Sequence, residues 1–500
     1  MDAPPEQSKP RPSRVKRFFR IALFIVVCLV TLVALAITEE NWRGKRDWEK
    51  FKRESEARGE RFDLASVVPP KVPDDQNFAK APIFAGAFNV KADPKTGDLI
   101  AIDPNISDRL QIRVFSIMGD AARPPRVPNP TFGGWQQAKK TELKEWQTYY
   151  RAIAAATNEF PVAAKAQTPA SDVLLALSKY DGVAEELREA AKRPASRFPV
   201  KYEDGFGAAT SAMSAYSKFK ACSQFLQLRA IAELANNEAG KALADIELSL
   251  RFVEALRNEP FLIEHMVGVA MFQITLNPIW EGLADHKWSN EQILALDRAL
   301  QGSDFIADYS RAMRGERAFA VWTIDAGFNG YGSMPRGWRY QNQIAICRMS
   351  DEFVLPMVDF ERRIVSPEHF RKLSADFKAS HHFSFYDAFT PHLFPAVAKA
   401  NQQFAFAQCS LDLARVALAL ERFRRARGQY PGALDALVPK FMEKLPHDII
   451  NGQPLKYRKE NDRSFVLYSV GWNEKDDGGT VALKKEDGVD REKGDWVWRQ

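Results

Sequence analysis

Apolar residues along this chain first form one unbroken block and then a series of stripes. Residues 21–37 (IALFIVVCLVTLVALAI) hold no charge and lie between Arg20 and the pair Glu39-Glu40. As a helix rising ~1.5 Å per residue they reach about 25 Å, and Phe18 and Phe19, with Arg20 snorkelling to the headgroups, extend the span towards a ~30 Å hydrocarbon core. A charged stretch follows, with Glu49 and Arg53 at helical i, i+4 spacing and Trp42 suited to the membrane–water boundary. It reads as a solvated juxtamembrane helix over 38–68. Ten prolines between Pro69 and Pro130 then exclude long helices. Because Phe78, Ile83, Phe84 and Phe88 are too apolar for a free linker, residues 69–134 read as a strap along the next domain, with short strands near 98–102 and 111–117.

From 135 to 395 the period becomes helical. A short helix covers 173–178, and a second starts with Asp181 as its cap and stops before Pro194. The longest patterns, 206–235 and 239–258, are separated by Asn236-Asn237-Glu238. Ala242, Ile246, Ser249, Leu250 and Val253 give the second one an apolar stripe. This hairpin resembles a single tetratricopeptide-type repeat, without a second copy. An apolar helix spans 261–283, with Pro278 near its end. Ser289 and Gln292 form a capping box, flanked by Trp288 and Ile293 as a hydrophobic staple. A helical run around Arg314–Ala318, a glycine-rich loop over 327–338, a helix over 341–364 interrupted at Pro356 and a helix over 367–378 complete the body. After a loop over 381–395, residues 396–427 form a helix closed by Gly428 and Pro431. Short strands follow at 454–458, 464–471 and 495–499, the first two joined by Asn461-Asp462. The expected fold is mainly α: a transmembrane helix, an α-helical body and a small α+β head (396–500) with an antiparallel sheet.

Charge bears on topology more than on ligand class. The first 20 residues, a basic and proline-rich tail, carry six Lys/Arg against two acids, which leaves +2 of the formal +6 for the rest of the chain. That balance offers no electrostatic case for nucleic acid, and no nucleic-acid partner is expected. Arg14, Lys16, Arg17 and Arg20 crowd one end of the apolar block, whereas Arg43 stands behind two glutamates at the other. The positive-inside rule therefore keeps the tail in the cytoplasm and places the C-terminal bulk outside. A signal peptide cleaved after Ala34-Leu35-Ala36 is the alternative, against which stands the length of the block. Cys28 lies in the span, and Cys222, Cys347 and Cys409 are expected as buried thiols.

In the C-terminal hundred residues, ALERFRRARGQYPGALDALVP, LPHD, NGQPLKYR and FVLYSVGWNEKDDGG resemble the head of the major pseudopilins of bacterial type II secretion. The resemblance covers about 416–500. It implies a helix ending at Tyr430-Pro431, a small antiparallel sheet and a calcium-binding final loop, whose ligands here would be Asn473, Asp476, Asp477 and Asp495 with main-chain carbonyls. A pseudopilin's hydrophobic segment is continuous with its head helix, whereas roughly 350 residues intervene here, and Arg17 precedes Phe18-Phe19 where the family has its Gly-Phe peptidase site. The whole chain, with NWRGKRDWEKFKRE after the span, also resembles a family of uncharacterised bacterial membrane-anchored proteins. The expected location is the bacterial inner membrane, crossed once, with protein partners in the envelope.

The chain contains no GxSxG, HExxH, Walker A or strand-to-helix GxGxxG motif. Its candidate chemistry is therefore sparse. His381, His382 and His392, with Asp387, form the one histidine cluster, in a stretch whose aromatics and prolines favour loop packing over a metal. Glu264-His265 lies on an apolar helix, where a satisfied core histidine is the simpler account. Glu316 between Arg314 and Arg317 suits an interhelical ion-pair network. The expected function is a membrane-anchored, extracytoplasmic, non-catalytic interaction or scaffold protein linked to envelope or secretion machinery. The alternative is an extracytoplasmic enzyme with its site in the helical body.

Overall fold

The computed structural model of the chain describes residues 14–93, 96, 98–116, 128–202, 206–330, 335–380, 384–484 and 488–500. Helix α1 (Arg14–Glu56) carries the apolar block and the charged stretch in one continuous run of 43 residues. Its solvated pairs differ from the expected one: Lys45 meets Glu49 at 3.7 Å, and Lys52 meets Glu56 at 3.6 Å. Gly59, with φ +89°, turns the chain beyond the helix end. The short α2 (Leu64–Val67) follows, capped by Asp63.

The strap then wedges aromatic rings into the body. Phe78 and Phe84 are buried and meet Phe252 edge-on at 5.5 and 6.1 Å. Strands β1 (Val90–Ala92) and β2 (Leu99–Ala101) form an antiparallel hairpin, as the pattern near 98–102 predicts. The strand expected over 111–117 does not form among the described residues 111–116. Tyrosine hydroxyls take the place of a partner strand there. Tyr149 Oη accepts from Ser116 N at 2.7 Å, Tyr180 Oη from Arg113 N at 3.2 Å, and Tyr150 donates to Val114 O at 3.0 Å.

The body comprises α3 (Leu143–Thr157), α4 (Pro169–Leu177), α5 (Asp181–Ala191), α6 (Phe206–Ala235), α7 (Ala239–Arg257), α8 (Leu262–Ala284), α9 (Asn290–Gln301), α10 (Phe305–Gly330), α11 (Arg336–Arg348), α12 (Pro367–Ser380) and α13 (Thr390–Arg427). Helices α6, α7 and α8 pack on one another. Leu250 is buried on the predicted stripe. The capping box at Ser289 and Gln292 forms in both directions. Three expectations are corrected. Asp181 does not cap α5; it is the first helical residue, because a 3-10 turn (Ser178–Tyr180) carries α4 into α5 and leaves Tyr180 at the cap position, without a side-chain cap hydrogen bond. The glycine-rich loop is shorter than 327–338, since α10 continues to Gly330 and α11 starts at Arg336. Helix α13 starts at Thr390, inside the expected loop, with Pro391 in its first turn where no N–H partner is lost.

The head is fused to the body through α13, which packs on α8, α9 and α10 and on the strands beyond it. Strands β3 (Lys456–Asn461), β4 (Ser464–Ser469) and β7 (Trp496–Arg499) form an antiparallel sheet in the order β3-β4-β7, while β5 (Val481–Leu483) and β6 (Val489–Gly494) add a separate hairpin. Trp135 stacks on Phe406 and stands 5.2 Å from Trp498, and Trp280 Nε1 donates to Arg499 O at 2.8 Å. One hydrophobic core therefore runs from the strap to the C-terminal strand. Cys222, Cys347 and Cys409 are buried free thiols, as expected, and Cys28 is exposed.

Candidate functional site

Helix α8 begins at a nest of buried acids. Glu264 and His265 are 1% and 3% exposed. Tyr216 donates to Glu264 Oε1 at 3.1 Å, whereas Glu264 Oε2 has no hydrogen-bond partner among the described residues. Glu259 accepts from Phe198 N at 3.0 Å and from the Tyr202 hydroxyl, and its carbonyl lies 2.9 Å from His265 Nε2. Glu316 reaches over from α10 and accepts from Leu262 N at 2.8 Å, satisfying an orphan donor of the first turn of α8. Gly315 makes this possible, because a Cβ there would collide with Pro260 O.

Burial pushes Glu259 up to about 7 and Glu264 far above the carboxylate range, with the Glu259 charge adding to the latter; burial also raises Glu316 and holds His265 down at about 3. The nest is enclosed. Glu316 borders a cavity of about 30 Å³ shared with Arg317, Met313 and Ser350, which has room for water but not for a substrate. The larger clefts, about 560 Å³ beside α5 and about 390 Å³ between α3 and α6, are not lined by Glu264, His265 or Glu316. The ion-pair network expected around Glu316 belongs instead to its neighbours. Arg314 and Arg317 both pair with Glu60, and Arg317 also pairs with Asp351.

In the head, Asp495 turns inward to the 471–480 loop. Its Oδ1 accepts from Asp477 N at 3.2 Å, and its Oδ2 from Gly479 N at 2.6 Å and Thr480 N at 3.3 Å. Asp476 is held by Tyr468 Oη at 3.0 Å and Lys456 Nζ at 3.4 Å, and Asp477 by Asn473 Nδ2 at 2.8 Å. Among the described residues, no three His, Cys, Asp or Glu side chains gather as a group that could hold a metal ion. His381 and His382 lie outside the described residues. His392 is exposed on α13, and Asp387 accepts from Thr390 Oγ1.

The most distinctive polar and aromatic constellation lies where α1 leaves its apolar stretch. Gly337 N donates to Asn41 Oδ1 at 2.7 Å, and Gln341 Nε2 lies 3.4 Å from Asp47 Oδ2, so α11 runs alongside α1 in the same direction. Tyr386 Oη accepts from Arg43 at 3.1 Å and donates to Glu40 Oε2 at 3.2 Å. Asn342 secures the 384–389 loop by donating to Phe385 O at 2.7 Å and accepting from Ala388 N at 2.8 Å. Phe385 stacks on Trp338 with centroids 4.7 Å apart. Further along, Trp48, Phe51 and Phe62 form a satellite cluster with Val321 and Cys347.

No protein-family model, curated protein or solved structure matches this chain.

Sequence reasoning placed Trp42 at this junction but missed Tyr386, Asn342 and Trp338. The partners of Tyr386 lie more than three hundred residues away, and those of Asn342 and Trp338 more than forty, so no local spacing signals them. The one available signal was the aromatic density of the stretch after His382, together with the glycine in Arg336-Gly337-Trp338.

Proposed function

We propose that the chain is a single-pass protein of the bacterial inner membrane, with its basic tail in the cytoplasm and its body and head outside. On this reading it acts as a non-catalytic interaction or scaffold protein of the envelope. The observation that carries the proposal is the bareness of the apolar part of α1. An 18-residue window has a mean hydropathy of 3.0, and none of it is buried by the body. Phe24 is 68% exposed and Leu32 63%, on a helix with apolar side chains on all its faces. Water-soluble monomers rarely expose contiguous apolar patches beyond a few hundred Å², so a hydrocarbon solvent is the fitting environment.

The burial of Glu264 and His265, with the half-buried Glu316 beside a cavity sized for water, favours a binding role over catalysis. The order of helix, Tyr430-Pro431 and antiparallel sheet is the one that the pseudopilin likeness implies, and it supports a link to secretion or other envelope assemblies. Protease added to intact spheroplasts tests the topology: it should digest the head and spare the tail. A protected head overturns the orientation, and a mature N-terminus at Ile37 overturns the anchor.

A further inference from the structure

The end of the body nearest the apolar helix presents Trp42, Phe385, Tyr386 and Phe389, which are 62%, 56%, 40% and 40% exposed. Their level along α1 follows from contacts already described. Tyr386 is hydrogen-bonded to Glu40 and Arg43, which lie three and six residues beyond Ile37. At ~1.5 Å per residue, these contacts stand about 5–9 Å above the end of the apolar block. A headgroup layer occupies roughly the 5–8 Å outside each face of the hydrocarbon core. The loop that carries Phe385 and Phe389 is therefore fixed at headgroup depth, and Asn342 and Trp338 hold it there.

We propose that this aromatic base is a membrane-contact surface, on which the body rests in the headgroup layer of the same bilayer that α1 crosses. The inference rests on the membrane-anchored reading above. Its chemistry is that of interfacial aromatic belts, whose rings combine an apolar body with a polar edge. Tyr386 directs its hydroxyl to Glu40 and Arg43 while its ring remains half exposed. The Arg46 guanidinium lies 4.9 Å over the Trp42 ring and is shared with the Asp47 carboxylate at 3.1 Å, so the cation at this level supports the ring rather than standing free. A second copy of the chain or another protein is a less fitting occupant. The patch adjoins the root of a span, and a bilayer reaches that place without any further partner.

Site-directed spin labelling of the full chain tests the proposal, in vesicles of phosphatidylethanolamine and phosphatidylglycerol. Cys28 is the exposed native thiol, and Cys222, Cys347 and Cys409 are buried. A label on Cys28 therefore reports the span itself. In a Cys28→Ser background, Phe385→Cys and Phe389→Cys report the base, and Lys475→Cys reports the exposed head. The readout is collision with oxygen, which concentrates in lipid, against collision with a water-soluble nickel chelate. We expect labels at 385 and 389 to collide with nickel severalfold less than the label at 475, and to favour oxygen, at a depth shallower than Cys28. Nickel access at 385 and 389 equal to that at 475, with Cys28 shielded, overturns the contact surface and leaves the anchor standing. Nickel access at Cys28 overturns the anchor as well. Protection at 385 that disappears on dilution of protein in lipid identifies a second copy as the occupant, and also overturns the proposal. Two base positions guard against misfolding of one variant, which an altered melting curve would reveal.

Discussion

Gly44 of α1 and Gly337 of α11 meet backbone to backbone. A Cβ on Gly44 would stand 2.7 Å from both the Cα and the O of Gly337, and a Cβ on Gly337 would collide with Glu40 O. The two glycines let the helices approach closely enough for Gly337 N to reach Asn41. At its far end the same helix leads to Glu60, which pairs with Arg314 and Arg317 of α10. The apolar helix is thus joined to the body at two levels.

Gly44→Leu should force α1 and α11 apart at a cost of about 1–3 kcal/mol, the usual penalty for overpacking. Gly182→Ala is the matched control, because a Cβ on that helical glycine meets nothing within 4 Å. Thermal unfolding in detergent should show a lower midpoint for Gly44→Leu, and an unchanged or slightly raised one for Gly182→Ala.

Glu264→Gln should flatten the dependence of stability on pH. The folded-state pKa of Glu264 lies above the ordinary value of about 4.3, so its contribution is fully present below that value and is lost as pH rises towards the raised one. Glutamine has no charge to bury. Urea unfolding should find the variant and the parent nearly equal near pH ~4, with the variant ahead by on the order of 1–3 kcal/mol above neutrality. Equal curves across that range would mean that water reaches Glu264.

Glu421 should act in the opposite sense. Burial alone would raise it, but hydrogen bonds from Arg424 and His286 outweigh that effect and hold it at about 2; the Tyr430 hydroxyl donates to it as well. Its stabilisation is present above the ordinary carboxylate pKa of about 4.3 and is lost as pH falls towards the folded value. Glu421→Gln should cost about 2 kcal/mol at neutral pH, and the difference should shrink in acid. Denaturant midpoints of the two proteins measured at neutral pH and near pH ~3 check this.

Asp495→Asn should loosen the 471–480 loop, because one of the two oxygens that accept from backbone amides becomes an amide nitrogen that cannot accept, at a cost of about 1–3 kcal/mol. A calcium ion would have to compete with those amides, and with Tyr468 and Lys456 for Asp476. We therefore expect the full chain to melt at the same temperature in calcium and in chelator. A rise in calcium that Asp477→Ala abolishes would instead establish the ion.

The elements legible in the sequence were those set by neighbours in the chain. Ser289 with Gln292, Asn236-Asn237 between α6 and α7, and Gly428 after α13 each act within one turn of helix, so spacing alone reveals them. Features that depend on distant partners were not legible. Residues 111–116 carry the alternation of a strand but pair with tyrosines of α3 and of the turn before α5. The acids near α8 were visible as residue types. Their enclosure was not, because it depends on Tyr202, Tyr216 and the close approach at Gly315. The junction of α1 with the body was the least visible of all, since Gly337 lies nearly three hundred residues beyond Gly44.

On the membrane-anchored reading proposed above, the short apolar block and its stiff junction together make bilayer thickness matter to this protein. The uncharged block of 17 residues reaches about 25 Å and fills an average hydrocarbon core of ~30 Å only when Phe18, Phe19 and a snorkelling Arg20 are drawn in at its basic end. A helix with a flexible neck would adjust by sinking. Here the clasp at Gly44 and the broad body beside it resist any descent, so the lipid must thin around the root or the basic flank must stretch to the opposite face. Each Å of mismatch costs a fraction of a kcal/mol, which is enough to sort the molecule towards thinner membranes.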